Sequence, residues 1–239
     1  MRLTLVGDTL CMSESTLAPT PVPTPAPRRR WSRLIGIGLI LAGLSVLGYV
    51  AWQFWGTNYV SQRKHQEIVK TVEEAWLLEK EPRVPEGDVL ALILIPKFGD
   101  DYVVPVLEGT SDEVLAAGYG HFEDSQLPGE VGNFALAGHR VTHGEPLRRM
   151  PELDPGDEII VETREATYTY VLTTGGDDLV VPFTGVWVLD KLPDNPAEGG
   201  VEPAQKPGQK LITLTTCSEI FHTDNRMIAF GILQSRQQR

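Results

Sequence analysis

Leu211-Ile212-Thr213-Leu214-Thr215-Thr216-Cys217-Ser218-Glu219 opens as an apolar, β-branched run and ends on a cysteine, with Arg226 nine residues beyond it. Such a run reads as a buried strand. A strand that carries one thiol to its end fits a nucleophile held on a rigid element. The competing explanation is that Cys217 is a small buried hydrophobe, the ordinary place of a free cysteine.

Working outward, the only other cysteine is Cys11. Residues 1–27 are Pro-rich around Thr20-Pro21-Val22-Pro23-Thr24-Pro25-Ala26-Pro27 and lack apolar periodicity, so a disordered tail is expected over 1–33. Arg28-Arg29-Arg30-Trp31-Ser32-Arg33 then precedes Leu34 to Trp55, twenty-two residues without a charged side chain. At about 1.5 Å per residue this run spans roughly 30 Å, the thickness of a hydrocarbon core. Tyr49, Trp52 and Trp55 gather at its far end, as aromatic residues do at a membrane interface. The run is too long for the core of a cleaved signal peptide. One uncleaved transmembrane anchor is therefore expected over 34–55, with the N-terminus cytoplasmic and the remainder outside the plasma membrane. Cys11 and Cys217 would then lie on opposite sides and could not pair. A lone thiol in an oxidising compartment is a liability unless it is used, which favours a catalytic Cys217.

Charge divides in the same place. The formal net charge is −11, but residues 1–55 hold five arginines against Asp8 and Glu14, a net of +3, which leaves −14 for the rest. An acidic globular part excludes nucleic acid as a partner, since phosphate binding needs a basic face.

Residues 56–87 read as a stalk or linker: Ile68, Val69, Val72, Ala75, Trp76 and Leu77 fall near helical spacing, and Pro82 and Pro85 end the helix. The globular domain is placed at 88–239. Strands are expected at Val89–Ile95, Tyr102–Leu107, Gly132–Arg140, Asp157–Glu162, Thr167–Thr173, Gly185–Leu189, Leu211–Thr216 and Met227–Leu233. Ser111 N-caps a short helix to Ala117, and Gly118-Tyr119-Gly120-His121-Phe122 reads as a loop. Residues 190–209 form a Pro/Gly-rich loop. Eight short strands, 23 glycines, 18 prolines and little helix give a mainly β class, a closed barrel or sandwich, preceded by one transmembrane helix.

A thiol with an ordinary pKa of roughly 8.5 needs a nearby base or cation, and a leaving amine needs a proton donor. Five histidines are available. His65 lies in the stalk and His222 in a polar loop. His139 ends a strand after Ala137-Gly138, small residues that would leave room for a ligand. Spacing alone does not separate His139 from His121. The oxyanion formed on attack needs a fixed donor, a role that suits arginine. Arg226 opens the strand after Cys217, so neighbouring strands could present both groups at one end. Arg140 competes, but alternation along a strand points it away from His139. The acids Glu108, Asp112, Glu123 and Asp124 have no ligand spacing, so neither metal nor cofactor is expected.

Taken in order, Ile95-Pro96, Pro105-Val106, Pro128-Gly129, Gly132-Asn133, Ala137-Gly138-His139-Arg140, Gly156-Asp157 and Leu214-Thr215-Thr216-Cys217 resemble the sortase family, across about Ile93 to Leu233. Asn133–Arg140 and Thr213–Cys217 look most like class E, the housekeeping type of actinobacteria. The resemblance implies an eight-stranded β-barrel with short helices and a cysteine transpeptidase in the plasma membrane of a Gram-positive cell. It implies Cys217 as nucleophile, His139 as acid/base and Arg226 as oxyanion and substrate-positioning donor. Its substrates would be surface proteins with a C-terminal Leu-Ala-x-Thr-Gly-like sorting signal, cut between Thr and Gly and passed to a peptidoglycan-precursor amine. Thr215 and Thr216 would line the substrate groove or simply fill β positions, and Tyr119 and Phe122 would read the signal or pack the loop. From a different class, a membrane-anchored binding or scaffolding barrel with an inert Cys217 fits the same pattern. A cysteine hydrolase is the rival within enzymes.

Overall fold

The computed structural model describes residues 28–219 and 224–239. The Pro-rich tail with Cys11, and His222, lie outside the described residues. Helix α1 (Arg28–Ala51) passes through a π-helical turn at Trp52–Gly56 into α2 (Thr57–Leu77). Two compact units meet at Val46/Leu47. In the first, the apolar side chains from Leu34 to Val46 are exposed. Among the described residues this is the one helix long and apolar enough to cross a membrane.

The second unit is a barrel built from β1 (Val89–Leu94), β2 (Val103–Glu108), β3 (Tyr119–His121), β4 (Gly132–Ala137), β5 (Glu158–Glu162), β6 (Ala166–Leu172), β8 (Lys210–Cys217) and β9 (Asn225–Gln238). Neighbours run β6-β5-β1-β2-β3-β4-β8-β9, and β9 pairs again with β6, so eight strands close on themselves. A ninth strand, β7 (Leu179–Pro182), pairs with the first residues of β9. Most pairs are antiparallel; β2–β3 and β4–β8 are parallel. Strict alternation in β6 turns Tyr168, Tyr170 and Leu172 into the core with Ile93, Phe134, Leu136 and Leu214.

The number of barrel strands matches the expectation, but one member differs. Tyr119–His121 is β3, not a loop. Glycines serve close approach here: a Cβ at Gly118, just before the strand, would sit 2.2 Å from the Pro105 carbonyl oxygen, and one at Gly120 within it 2.5 Å from that of Gly109. Conversely, Val186–Leu189 winds into a 3-10 turn, with Val188 packed on Ile228 and Phe230. A short apolar run fits either conformation until its packing is known. Strand β9 also continues through the polar residues Gln234–Gln238, where it pairs with β6 and closes the barrel.

Between β2 and β3, Ser111 caps α3 (Asp112–Ala117), its hydroxyl accepting from the Val114 N–H at 3.4 Å. Helix α2, read from sequence as a stalk, lies on the barrel. Its Ile68 and Val72 are buried against Leu92, Leu107, Val114 and Ala117, and Asn58, Ser61 and His65 are buried as well.

Candidate active site

Three neighbouring strands deliver the residues expected to do chemistry to one end of the barrel. Strands β4 and β8 run parallel with Ala137 beside Thr215, so His139 and Cys217 each lie two residues further along. The lacing continues past the last ladder pair. The Gly138 N–H donates to the Thr215 carbonyl at 3.1 Å, and the Thr216 hydroxyl donates to the Gly138 carbonyl at 2.8 Å. On the other side, β8 and β9 are antiparallel with Cys217 directly opposite Arg226. Cross-strand partners share a face of the sheet. Cys217 therefore sits centrally, with the arginine on one flanking strand and the histidine leaving the other. All three side chains are half-buried.

The two candidate histidines separate cleanly. His121 is 1 % exposed. Its Nδ1 meets Glu108 Oε1 at 2.9 Å, and its Nε2 meets Ser125 Oγ at 2.9 Å and the Gln126 carbonyl at 3.1 Å. Both ring nitrogens are committed to structure. His139 instead stacks on His143, ring centroids 4.8 Å apart. Burial first, then the His143 charge, lowers its pKa to about 4, against a smaller opposing pull from Asp112. A neutral imidazole at this place can accept the proton of a thiol.

The arginines take separate tasks. The Arg140 guanidinium donates through Nη1 to the Ser218 carbonyl, strapping the chain just beyond Cys217. Arg226 donates through Nη1 to its neighbour's Asn225 carbonyl at 3.0 Å and lies 4.9 Å over the Phe183 ring. It forms the rim of an apolar cleft of about 150 Å³ lined by Phe122, Val181, Val188, Leu189 and Thr215. A cleft of that size and lining suits one or two aliphatic side chains.

The expected substrate contacts divide. Thr215 and Phe122 line this cleft. Thr216 is spent on the Gly138 carbonyl. Tyr119 is fully buried, its hydroxyl 2.7 Å from that of Tyr102, and lies in the core instead of the cleft. Gly138 does not leave space for a ligand: a Cβ there would come 3.1 Å from the Tyr119 ring and 3.2 Å from Leu147. Residues 181–189, which supply most of the cleft wall, were not expected in the site; their signal was the apolar pair of segments flanking Phe183. Among the described residues, no group of three or more His, Cys, Asp or Glu is placed to hold a metal.

Comparison with known proteins gives one family. The sortase domain profile matches residues 93–234. Sortase SrtE1 of Streptomyces coelicolor is 36% identical over 222 residues, covering 87% of this chain; the chain spans only 58% of that relative's length. The crystal structure of Sortase E1 from the same organism, with a tripeptide in the active site, superposes with a TM-score of 0.56 at 37% identity, covering 66% of this chain and 94% of that one. Sortase E from Streptomyces avermitilis gives a TM-score of 0.55 at 35% identity, with 65% and 93% covered.

Proposed function

This chain belongs to the sortase family, and from that premise we propose that it is a membrane-anchored cysteine transpeptidase of the class E type, acting on sorting signals of the Leu-Ala-x-Thr-Gly kind. The observation that carries the reading is the register that sets Cys217 opposite Arg226 while the neighbouring parallel strand releases His139 at the same end. The Cys217 thiol gives its proton to the neutral His139 as sulfur attacks the threonine carbonyl. Arg226 stabilises the oxyanion as charge develops. Collapse of that intermediate breaks the Thr–Gly bond, and His139 passes the proton to the departing glycine amine. A thioester remains on Cys217. An amine of a peptidoglycan precursor then attacks it, His139 takes the amine proton, and the thiol is restored.

The apolar cleft beside Arg226 supports recognition of an aliphatic residue in the signal, and the tripeptide held by the Streptomyces enzyme supports a peptide substrate. The cluster Arg28–Arg33 before the apolar helix supports a cytoplasmic N-terminus and an extracellular barrel.

The test is intact-mass spectrometry of the full chain in detergent micelles with a Leu-Ala-x-Thr-Gly peptide, with and without a glycine amine acceptor. A thioester adduct that is absent in Cys217→Ala and resolved into ligated product by the amine supports the reading. Arg226→Ala and His139→Ala should each slow adduct formation on the order of a hundredfold or more. No adduct and no cleaved peptide across related signals would leave a barrel with an inert cysteine.

A further inference from the structure

His139 is the first residue of a tight loop that returns to the barrel at Leu147, whose N–H donates to the His139 carbonyl at 3.0 Å. The loop tip is held in an unfavourable backbone region. His143, Gly144 and Glu145 are consecutive residues with φ of +54°, +83° and +52°. Two of them carry a Cβ, and such a run persists only where its surroundings over-determine it. From the core side the Tyr102 hydroxyl donates to the Pro146 carbonyl at 2.7 Å.

The remaining support comes from helix α2. Asn58, 7 % exposed, addresses three loop residues at once. Its Oδ1 accepts from the Gly144 N–H at 3.0 Å, and its Nδ2 donates to the Val141 carbonyl at 3.3 Å and to Glu145 Oε1. Glu145 Oε2 is taken by Arg148. Two turns further along, His65 packs against Gly144: a Cβ there would come 2.5 Å from its Cε1. Burial lowers His65 to about 4, so the ring set against Gly144 is neutral. Its Nε2 has no hydrogen-bond partner, a cost tolerated where the ring serves as a wall.

We propose that Asn58 and His65 are positioning residues for His139, clamping the left-handed 143–145 turn so that the helix next to the membrane forms part of the catalytic assembly. The chain reaches the site twice: as strands that carry Cys217 and Arg226, and as a helix that fixes where the imidazole sits on the other side of Cys217. The inference rests on the transpeptidase reading above.

The full chain in detergent micelles is assayed for transpeptidation of a Leu-Ala-x-Thr-Gly peptide to a glycine amine. The arms are parent, Cys217→Ala, Asn58→Ala, Asn58→Asp, Glu145→Gln and the pair Asn58→Asp/Glu145→Gln. Gln66→Ala, on the exposed face of α2, and Val72→Ala, which loosens the helix away from the loop, complete the set. Because sub-ångström misplacement of a catalytic group is costly, Asn58→Ala should lower kcat on the order of tenfold to a hundredfold with KM for the peptide unchanged. Asn58→Asp sets two carboxylates together and should lose more. The pair with Glu145→Gln turns that one hydrogen bond around and should recover part of that loss, since a carboxylate at position 58 still offers no donor to the Val141 and Phe54 carbonyls. Val72→Ala should lower Tm without lowering kcat at a temperature well below it, and Gln66→Ala should change neither. Parental kcat in both Asn58 variants, or losses that follow Tm as in Val72→Ala with no recovery in the pair, would overturn the inference. A parent no more active than Cys217→Ala would sink the transpeptidase reading, and the inference with it.

Discussion

Burial keeps His139 neutral near neutral pH, which suits the proton-accepting role proposed for it at the start of the cycle. With a pKa lowered to about 4 by burial and by the facing His143, the acid limb of kcat/KM should lie near pH 4, well below the 6.5 of free imidazole. His143→Ala removes the repelling neighbour, so the limb should move upward, a shift that a pH–rate profile reads directly. His65 is lowered to about 4 as well. Between pH 6.5 and 4 the unfolded chain therefore binds more protons than the folded one at these rings. The corresponding stability is intact above 6.5 and is lost as pH falls toward 4. His65→Phe should flatten this acid slope by at most ~3 kcal/mol, seen as a weaker dependence of Tm on pH over that window.

Strand β8 is the element on which the site is assembled, because it is paired on both sides and buried from Leu211 to Thr216. Its polar residues do separate work. Thr213 donates to Asn133 Oδ1 at 2.7 Å, while the Asn133 amide holds the Val188 and Asp190 carbonyls at 3.0 and 3.2 Å. One buried asparagine thus joins β4, β8 and the start of the 190–209 loop beside the cleft. Thr216 ties the exit of β4 to β8 immediately before Cys217. Thr216→Val keeps the shape but leaves the Gly138 carbonyl unpaired in a buried place. It should cost about 1–3 kcal/mol in urea unfolding and should slow acylation, since the His139 backbone is no longer pinned. Thr215→Val leaves this bond in place and should alter peptide KM instead.

At the scale of the whole molecule, the barrel is incomplete without α2. Ile68 and Val72 cover Leu92, Leu107 and Val114, and burying such side chains stabilises by about 1.5–3 kcal/mol each. A chain beginning at residue 80 should therefore show a lower Tm and stronger binding of a hydrophobic dye than one beginning at residue 56. Much of this architecture is legible in order along the chain. The apolar run Leu34–Trp55, the capped helix after Ser111, the hairpin strands around Thr163–Ala166 and the thiol-bearing strand ending at Cys217 are all local patterns, in which a residue's neighbours in sequence decide its conformation. What the sequence by itself determined is thus the class of the protein: a long apolar helix, a mainly β barrel and a cysteine delivered at a strand end. Only the tertiary structure decided that both ring nitrogens of His121 are committed while His139 lies at the Cys217 end, that Thr215 and not Thr216 reaches the cleft, that Tyr119–His121 is a barrel strand, and that α2 packs on the His139 loop. The physical reason is separation. The bonds that make these choices join residues 78 and 86 positions apart, as between Thr216 and Gly138 or Asn58 and Gly144. No periodicity in the chain records which distant carbonyl a given side chain will meet.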